Sequence, residues 1–337
     1  MSFSEMETKV ITQVSALQMA VTDNPNSSKV APSLNQPAGT AKKGQDWEGV
    51  TGGNTLGQKA LKILFSVVNV RVGYFFLVFV VPFYMLFRRK GYVAIYRYFR
   101  KQHGYSPLKS FRKTYRNHFI FGQTLMDRFA VYAGQKNIFR VDNPDNDLFL
   151  AMLDNPSGCI IAGSHIGNPE LCGYLLSQTK KRINSLIFGG EAKEVQKNRS
   201  KILEDNNVRL IPVSDDLSHI FYINEALSNG EIVSMPCDRN FGSGKCVEAD
   251  FLGGKADFPI GAFVLAIQYN VPVLALFVLK ISASLYRIHV TSIPFPPDNL
   301  SKREQIYAMT KTFVCELERI TKMYPEQWFN YYNFWKK

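Results

Sequence analysis

The apolar and polar positions of this chain change period along its length. From Leu61 to Phe87, "LKILFSVVNVRVGYFFLVFVVPFYMLF", they are almost continuously apolar and read as helix, with Pro82 expected to kink it. From residue 146 onward, short apolar runs alternate with helical patterns. "GCIIAG" (158–163), "SLIFGG" (185–190), "VRLIPV" (208–213), "EIVSMPC" (231–237), "VPVLALFVLK" (271–280) and "SLYRIHVTSI" (284–293) read as strands. Between them 169–180, 192–205, 215–229 and 259–269 read as helices, and a long helix over 301–323 closes the chain. In the third of these helices, Asn229-Gly230 supplies the stop signal. The alternation predicts an α/β fold with a mixed, mostly parallel central sheet flanked by helices, its last two strands close enough to pair antiparallel. An N-terminal hydrophobic helix precedes it.

Composition sharpens the division. Residues 1–45 are rich in Asn, Ser, Pro and Gly and read as a disordered tail without a secretory signal. The chain carries a net charge of +12, and residues 58–140 hold 7 lysines and 9 arginines against one acid, Asp127. The chain outside that block is therefore net acidic. A basic, aromatic block fits either a nucleic acid or an anionic membrane surface. The apolar run inside it, followed at once by Arg88, Arg89 and Lys90, favours a membrane anchor facing the cytoplasm, and no nucleic-acid motif accompanies the charge. A buried core helix beside a solvated basic neighbour is the structural alternative. The clean core, Val72 to Phe87, is 16 residues. That is short of the roughly 20 needed to span a bilayer, so crossing the membrane and lying in one leaflet both stay open. The expected organisation is a tail (1–45), a basic helical membrane-anchor region (46–140) and an α/β domain (141–337).

Five cysteines (159, 172, 237, 246 and 315) form no CxxC pair, and no histidine pair has ligand spacing. A disulfide framework and a metal site are both unexpected. "FGSGKC" lacks the spacing of a phosphate loop. His103 and His118 fall in the basic helices and are expected to face headgroups or solvent. Phe258, Phe263 and Leu265 read as core, with contact to an apolar substrate chain as the alternative.

The candidate chemistry sits in "CIIAGSHIGNPELCGYLL" (159–176), where an apolar run stops on His165. Asn168-Pro169-Glu170 is a helix start, with Asn at the cap and Glu in the first turn. The spacing alone is weak, and a strand-end histidine beside a helix cap accounts for it. The same layout also puts His165 at the carboxyl end of a strand, where open α/β sheets place their ligand sites. A short turn then brings Glu170 within reach of one imidazole nitrogen and leaves the other as a base. No G-x-S-x-G nucleophile is present, so such a base would act on a substrate hydroxyl or amine directly.

His165 and Glu170 match the H-x4-[D/E] motif of the glycerolipid and lysophospholipid acyltransferase superfamily. More of the chain resembles the lauroyl/myristoyl (late) acyltransferases of lipid A biosynthesis. The stretches that carry this are "SDDLSHIFYINEALSNGEIVSMPCDRNFG" (214–242), "ADFLGGKADFPIGAFVLAIQYNVPVLALFV" (249–278) and "YPEQWFNYYNFWK" (324–336), in the family's order. The resemblance covers roughly residues 45 to 337. It implies acyl transfer from a thioester of acyl carrier protein or coenzyme A to a lipid hydroxyl or amine, with a lipid A-type precursor favoured. It also implies no cofactor, no nucleic-acid partner, and a place at the bacterial inner membrane with the catalytic domain facing the cytoplasm.

Within that reading His165 is the base and Glu170 its orienting acid. Asp238, Arg239, Arg199 and Asn168 are candidate substrate-binding residues. The first-turn amides near 167–170, or an arginine, with Arg239 preferred and Arg199 second, are candidate oxyanion donors, and Asp238 would orient the acceptor or an arginine. The family commonly has an arginine in its last motif, where this chain has Asn333, and shows two acids where this chain has Asp238-Arg239. These departures leave acylation of an amino-acid or aryl-polyene lipid open, and a non-catalytic membrane scaffold, which intact His165 and Glu170 speak against, is the rival of another class.

Overall fold

The computed structural model describes residues 55–171, 181–188, 203, 207–213, 218–239 and 245–336. The expected tail, the helix at 192–205 apart from Leu203, most of the helix at 169–180, and Arg199 lie outside them.

The long apolar segment forms two helices rather than one. Asn69 accepts a hydrogen bond from the Arg71 backbone and caps a new start, so α1 (Thr55–Val67) ends and α2 (Val70–Phe87) begins. Pro82 lies inside α2. Helix α3 (Arg89–Lys101) and the 26-residue α4 (Pro107–Tyr132) complete the basic region, with Ser106 capping α4 and Pro107 in its first turn. After β1 (Arg140–Asp142) and α5 (Asn146–Leu153), the α/β part contains β2 (Cys159–Gly163), β3 (Ile183–Phe188), β4 (Val208–Val213), α6 (Ser218–Ser228) and β5 (Ile232–Pro236). A hairpin of β6 (Cys246–Phe251) and β7 (Gly254–Pro259) follows, then α7 (Gly261–Tyr269), β8 (Val273–Lys280), β9 (Leu285–Ile293) and α8 (Lys302–Met323). Ser301 and Glu304 form a capping box at the start of α8.

Seven strands make one sheet in the order β1-β9-β8-β2-β5-β3-β4. Every neighbouring pair is parallel except β8 and β9, as the pattern predicted. β6 and β7 pair separately and antiparallel. The sheet is packed on both faces. One core takes Ile160, Ala162 and Phe277 with residues of α7, α8 and the C-terminal segment. The other takes Ile161, Leu274 and Tyr286 with Phe65 of α1 and Tyr74, Leu77 and Val81 of α2. Phe258 and Phe263 are fully buried in the first core and Leu265 packs against it, in keeping with their core reading.

The apolar helix α2 has two distinct sides. Val70, Gly73, Tyr74, Leu77, Val81 and Met85 are buried, whereas Phe75, Phe79, Phe83 and Phe87 are between 62% and 66% exposed. Its inner side is fixed by a charged cluster. Lys280 at the end of β8 pairs with Asp127 of α4, and the Tyr74 and Tyr286 hydroxyls donate to the same carboxylate. Lys280 and Asp127 are almost completely buried. Tyr74 thereby holds α2 on α4 and the sheet edge through a polar contact inside an otherwise apolar interface.

Candidate active site

The site follows from strand register. Strands β2 and β5 are parallel neighbours with Gly163 opposite Pro236, and the Cys237 amide continues the ladder to the Gly163 carbonyl at 2.9 Å. Two residues beyond each strand, on the same carboxyl edge, stand His165 and Asp238. One carboxylate takes two hydrogen bonds from the histidine. His165 Nδ1 lies 2.7 Å from Asp238 Oδ1, and the His165 backbone N–H donates to Asp238 Oδ2 at 2.8 Å. An ionised carboxylate only accepts, so Nδ1 carries the proton and Nε2 is left with its lone pair. Asp238 is buried, while the His165 side chain is 30% exposed, which leaves the outer ring nitrogen reachable.

The charges around the pair are graded. Burial lowers the His165 pKa and the Arg239 guanidinium lowers it further, against the raising effect of Asp238, with a net downward shift from the usual histidine value. His165 is therefore neutral at pH 7. Burial raises the Asp238 carboxyl, but His165 and Arg239 outweigh it and hold the group below the ordinary carboxylate range. Arg239 is buried, donates to the Phe329 carbonyl at 2.6 Å and lies over the Tyr332 ring.

Glu170 has other partners. Its carboxylate accepts from Arg128 at 2.7 Å and from the Tyr132 hydroxyl, both on the last turns of α4. Asp238, not Glu170, meets the histidine ring, because the parallel β2–β5 register delivers Asp238 to the Nδ1 side. Asn168 is buried and donates from its side chain to the Thr124 carbonyl of α4 at 3.1 Å, which tethers the turn rather than presenting an amide to substrate. The Gly167 and Asn168 amides proposed for an oxyanion are already committed, to the carbonyls of Gln327 (2.8 Å) and Val278 (2.7 Å). His103 is half-buried against Tyr98, Phe99 and Tyr105, and burial pulls its pKa down to about 4. His118 is buried with Nδ1 on the Thr114 carbonyl. His118 is therefore not placed as a headgroup or solvent contact.

The turn after His165 is sewn to the end of the chain. Gly167 adopts φ +68°, and a Cβ there would sit 2.0 Å from the Val278 carbonyl oxygen, so glycine is required. The Phe329 amide donates to the His165 carbonyl, and Asn117 of α4 donates to the carbonyls of Glu326 and Trp328 at 3.0 Å. The C-terminal motif noted in the sequence is therefore a wall of the site.

Comparison with known proteins gives one family match. No curated protein matches the chain. Among solved structures, the 1-acyl-sn-glycerophosphate (LPA) acyltransferase from Thermotoga maritima covers 79% of this chain and 98% of its own, at 12% identity and a TM-score of 0.34. Residues 116–337 match the family described as bacterial lipid A biosynthesis acyltransferase, and that stretch contains the sheet, His165, Glu170 and the closing segment. The chain belongs to the bacterial lipid A biosynthesis acyltransferase family.

Proposed function

We propose that the protein transfers a fatty acyl chain from a thioester, carried by acyl carrier protein or coenzyme A, to a hydroxyl or amine of a lipid A-type acceptor. The observation that carries this reading is the Nδ1–Oδ1 contact of 2.7 Å, which aims a neutral imidazole out of a buried carboxylate. Nε2 of His165 removes the acceptor proton as its oxygen or nitrogen attacks the thioester carbonyl. Asp238 keeps the tautomer and balances the imidazolium that forms. Collapse of the tetrahedral intermediate breaks the carbon–sulfur bond, and the imidazolium returns its proton to the departing thiolate. Glu170 acts one step away, by holding Arg128 and Tyr132 against the turn. Arg239, beside the pair, stays the candidate donor for the oxyanion.

The same reading places the enzyme on a membrane surface. A row of exposed phenylalanines on a helix whose other side is packed on the protein is what an interfacial element presents to acyl chains. With its inner side fixed by Tyr74 and Leu77, α2 lies along one leaflet, and the basic helices beside it face anionic headgroups on the cytoplasmic side of the inner membrane. The test of the chemistry is His165→Ala in membranes given a radiolabelled acyl thioester. Transfer falls by several orders of magnitude if His165 is the base, and transfer at the wild-type rate refutes the reading.

A further inference from the structure

The first turns of α4 border a groove whose lining contains none of His165, Asp238, Arg239 and Glu170. Together with Val78 of α2, the segment from Ser106 to Phe119 lines an open cavity of about 870 Å³. Its wall has two chemistries. Leu108, Phe111, Tyr115 and Phe119 recur at helical spacing, and through Val78 this stripe joins the exposed side of α2. Lys109, Arg112, Lys113 and Arg116 line the same groove. Glu326 pairs with Lys113 and lies 3.6 Å from Arg116. Lys109 and Arg112 have no carboxylate partner among the described residues, and the Lys109 ammonium sits 3.8 Å from the centre of the Tyr105 ring. Four cations thus meet one carboxylate in a half-apolar groove beside the lipid-facing helix.

We propose that this groove holds the phosphate of an anionic bilayer lipid, with Lys109 and Arg112 as its ligands and the apolar stripe along the upper acyl carbons. The planar fork of Arg112 suits a phosphate, and the ammonium of Lys109 adds a point charge. The proposal rests on the interfacial reading of α2. Beyond it, the groove gives the membrane contact a headgroup preference and sets the rotation at which α2 seats. An acidic protein docking on the same cations is the competing occupant.

The experiment measures cosedimentation of the full-length protein with vesicles of phosphatidylcholine alone and with one fifth phosphatidylglycerol. Wild type binds both, and the anionic lipid tightens binding. Lys109→Gln/Arg112→Gln keeps the phosphatidylcholine affinity and loses more of the anionic gain than the about 30-fold that two cations contribute by diffuse attraction, roughly fivefold each. Arg97→Gln/Lys101→Gln removes the same charge from exposed positions of α3 outside the groove and loses much less. Equal losses in the two double variants overturn the site, because the effect is then diffuse charge. Unchanged vesicle binding by the groove variant, with turnover lost only when acyl carrier protein is the donor, assigns the groove to a protein and also overturns it. Wild type that binds neither vesicle refutes the interfacial reading itself, and Phe75→Ser/Phe79→Ser checks that separately by abolishing binding to both.

Discussion

Replacing Asp238 by asparagine separates a His–Asp pair from a His–Glu pair. The carboxylate accepts two N–H groups of one residue, at 2.7 and 2.8 Å. An amide offers one acceptor and one donor, so it satisfies only one of them. If its oxygen keeps the backbone N–H, its nitrogen faces Nδ1 and donates there, which moves the ring proton to Nε2 and removes the base. If its oxygen keeps Nδ1, its nitrogen abuts the His165 amide and displaces the turn. The corresponding change in a Ser-His-Asp triad lowers kcat about 10⁴-fold through the wrong tautomer. At 1.36 kcal/mol per decade that is about 5.4 kcal/mol, the size of loss expected for Asp238→Asn. The assay is kcat/KM against pH with thioester donor and lipid acceptor in micelles, beside a thermal melt to show that the variant folds. Wild-type activity falls on acidification as His165 protonates, at a pH below the usual histidine range because burial and Arg239 lower its pKa. Asp238 opposes that lowering, so without its charge the residual acid limb moves to still lower pH. A folded variant within tenfold of wild type, or a limb that moves upward, refutes the assignment.

Other substitutions probe the supports of the site. Glu170→Gln and Arg128→Gln should be strongly non-additive, with a coupling of about 1–3 kcal/mol in a double-mutant activity cycle, since each removes the same ion pair. Additive losses would show that Glu170 acts independently of Arg128. Lys280→Met leaves the Asp127 charge buried without its ammonium and should cost about 3–5 kcal/mol in urea unfolding, most of it recovered in Asp127→Asn/Lys280→Met. Gly167→Ala forces a β-carbon into left-handed backbone and against the Val278 oxygen. The backbone alone should cost about 1–3 kcal/mol of stability. Melting at the wild-type temperature would contradict the close approach.

Much of the fold was legible because its elements keep clean periods. Strand β8 is apolar from Val273 to Leu279 and is buried along its whole length, and α8 announces its start with Ser301 and Glu304. The β6–β7 hairpin was not, because "CVEADFLGGKADFP" mixes charges into both strands, although its apolar residues join the first core. Strand β1 is only three residues and draws its identity from β9. The site was half legible. His165 stood at a strand end in any reading, but its partner depended on which strands are neighbours. Glu170 is five residues away and Asp238 is 73, and only the sheet order reverses that ranking. The signal available in the sequence was that both His165 and Asp238 follow apolar strand runs by one or two residues.

The stitching of the His165 turn to residues 327–329 has a consequence for how the enzyme comes into being. Synthesis runs from the amino end, so the phenylalanine face of α2 leaves the ribosome more than 200 residues before Gln327 and Phe329 exist. The nascent chain can meet lipid early, yet the Gly167 amide and the His165 carbonyl have no partners until the last residues emerge. On the proposed interfacial seating of α2, lipid capture precedes assembly of the His165 turn. A chain stalled before Gln327 would then bind lipid with that turn still unpaired.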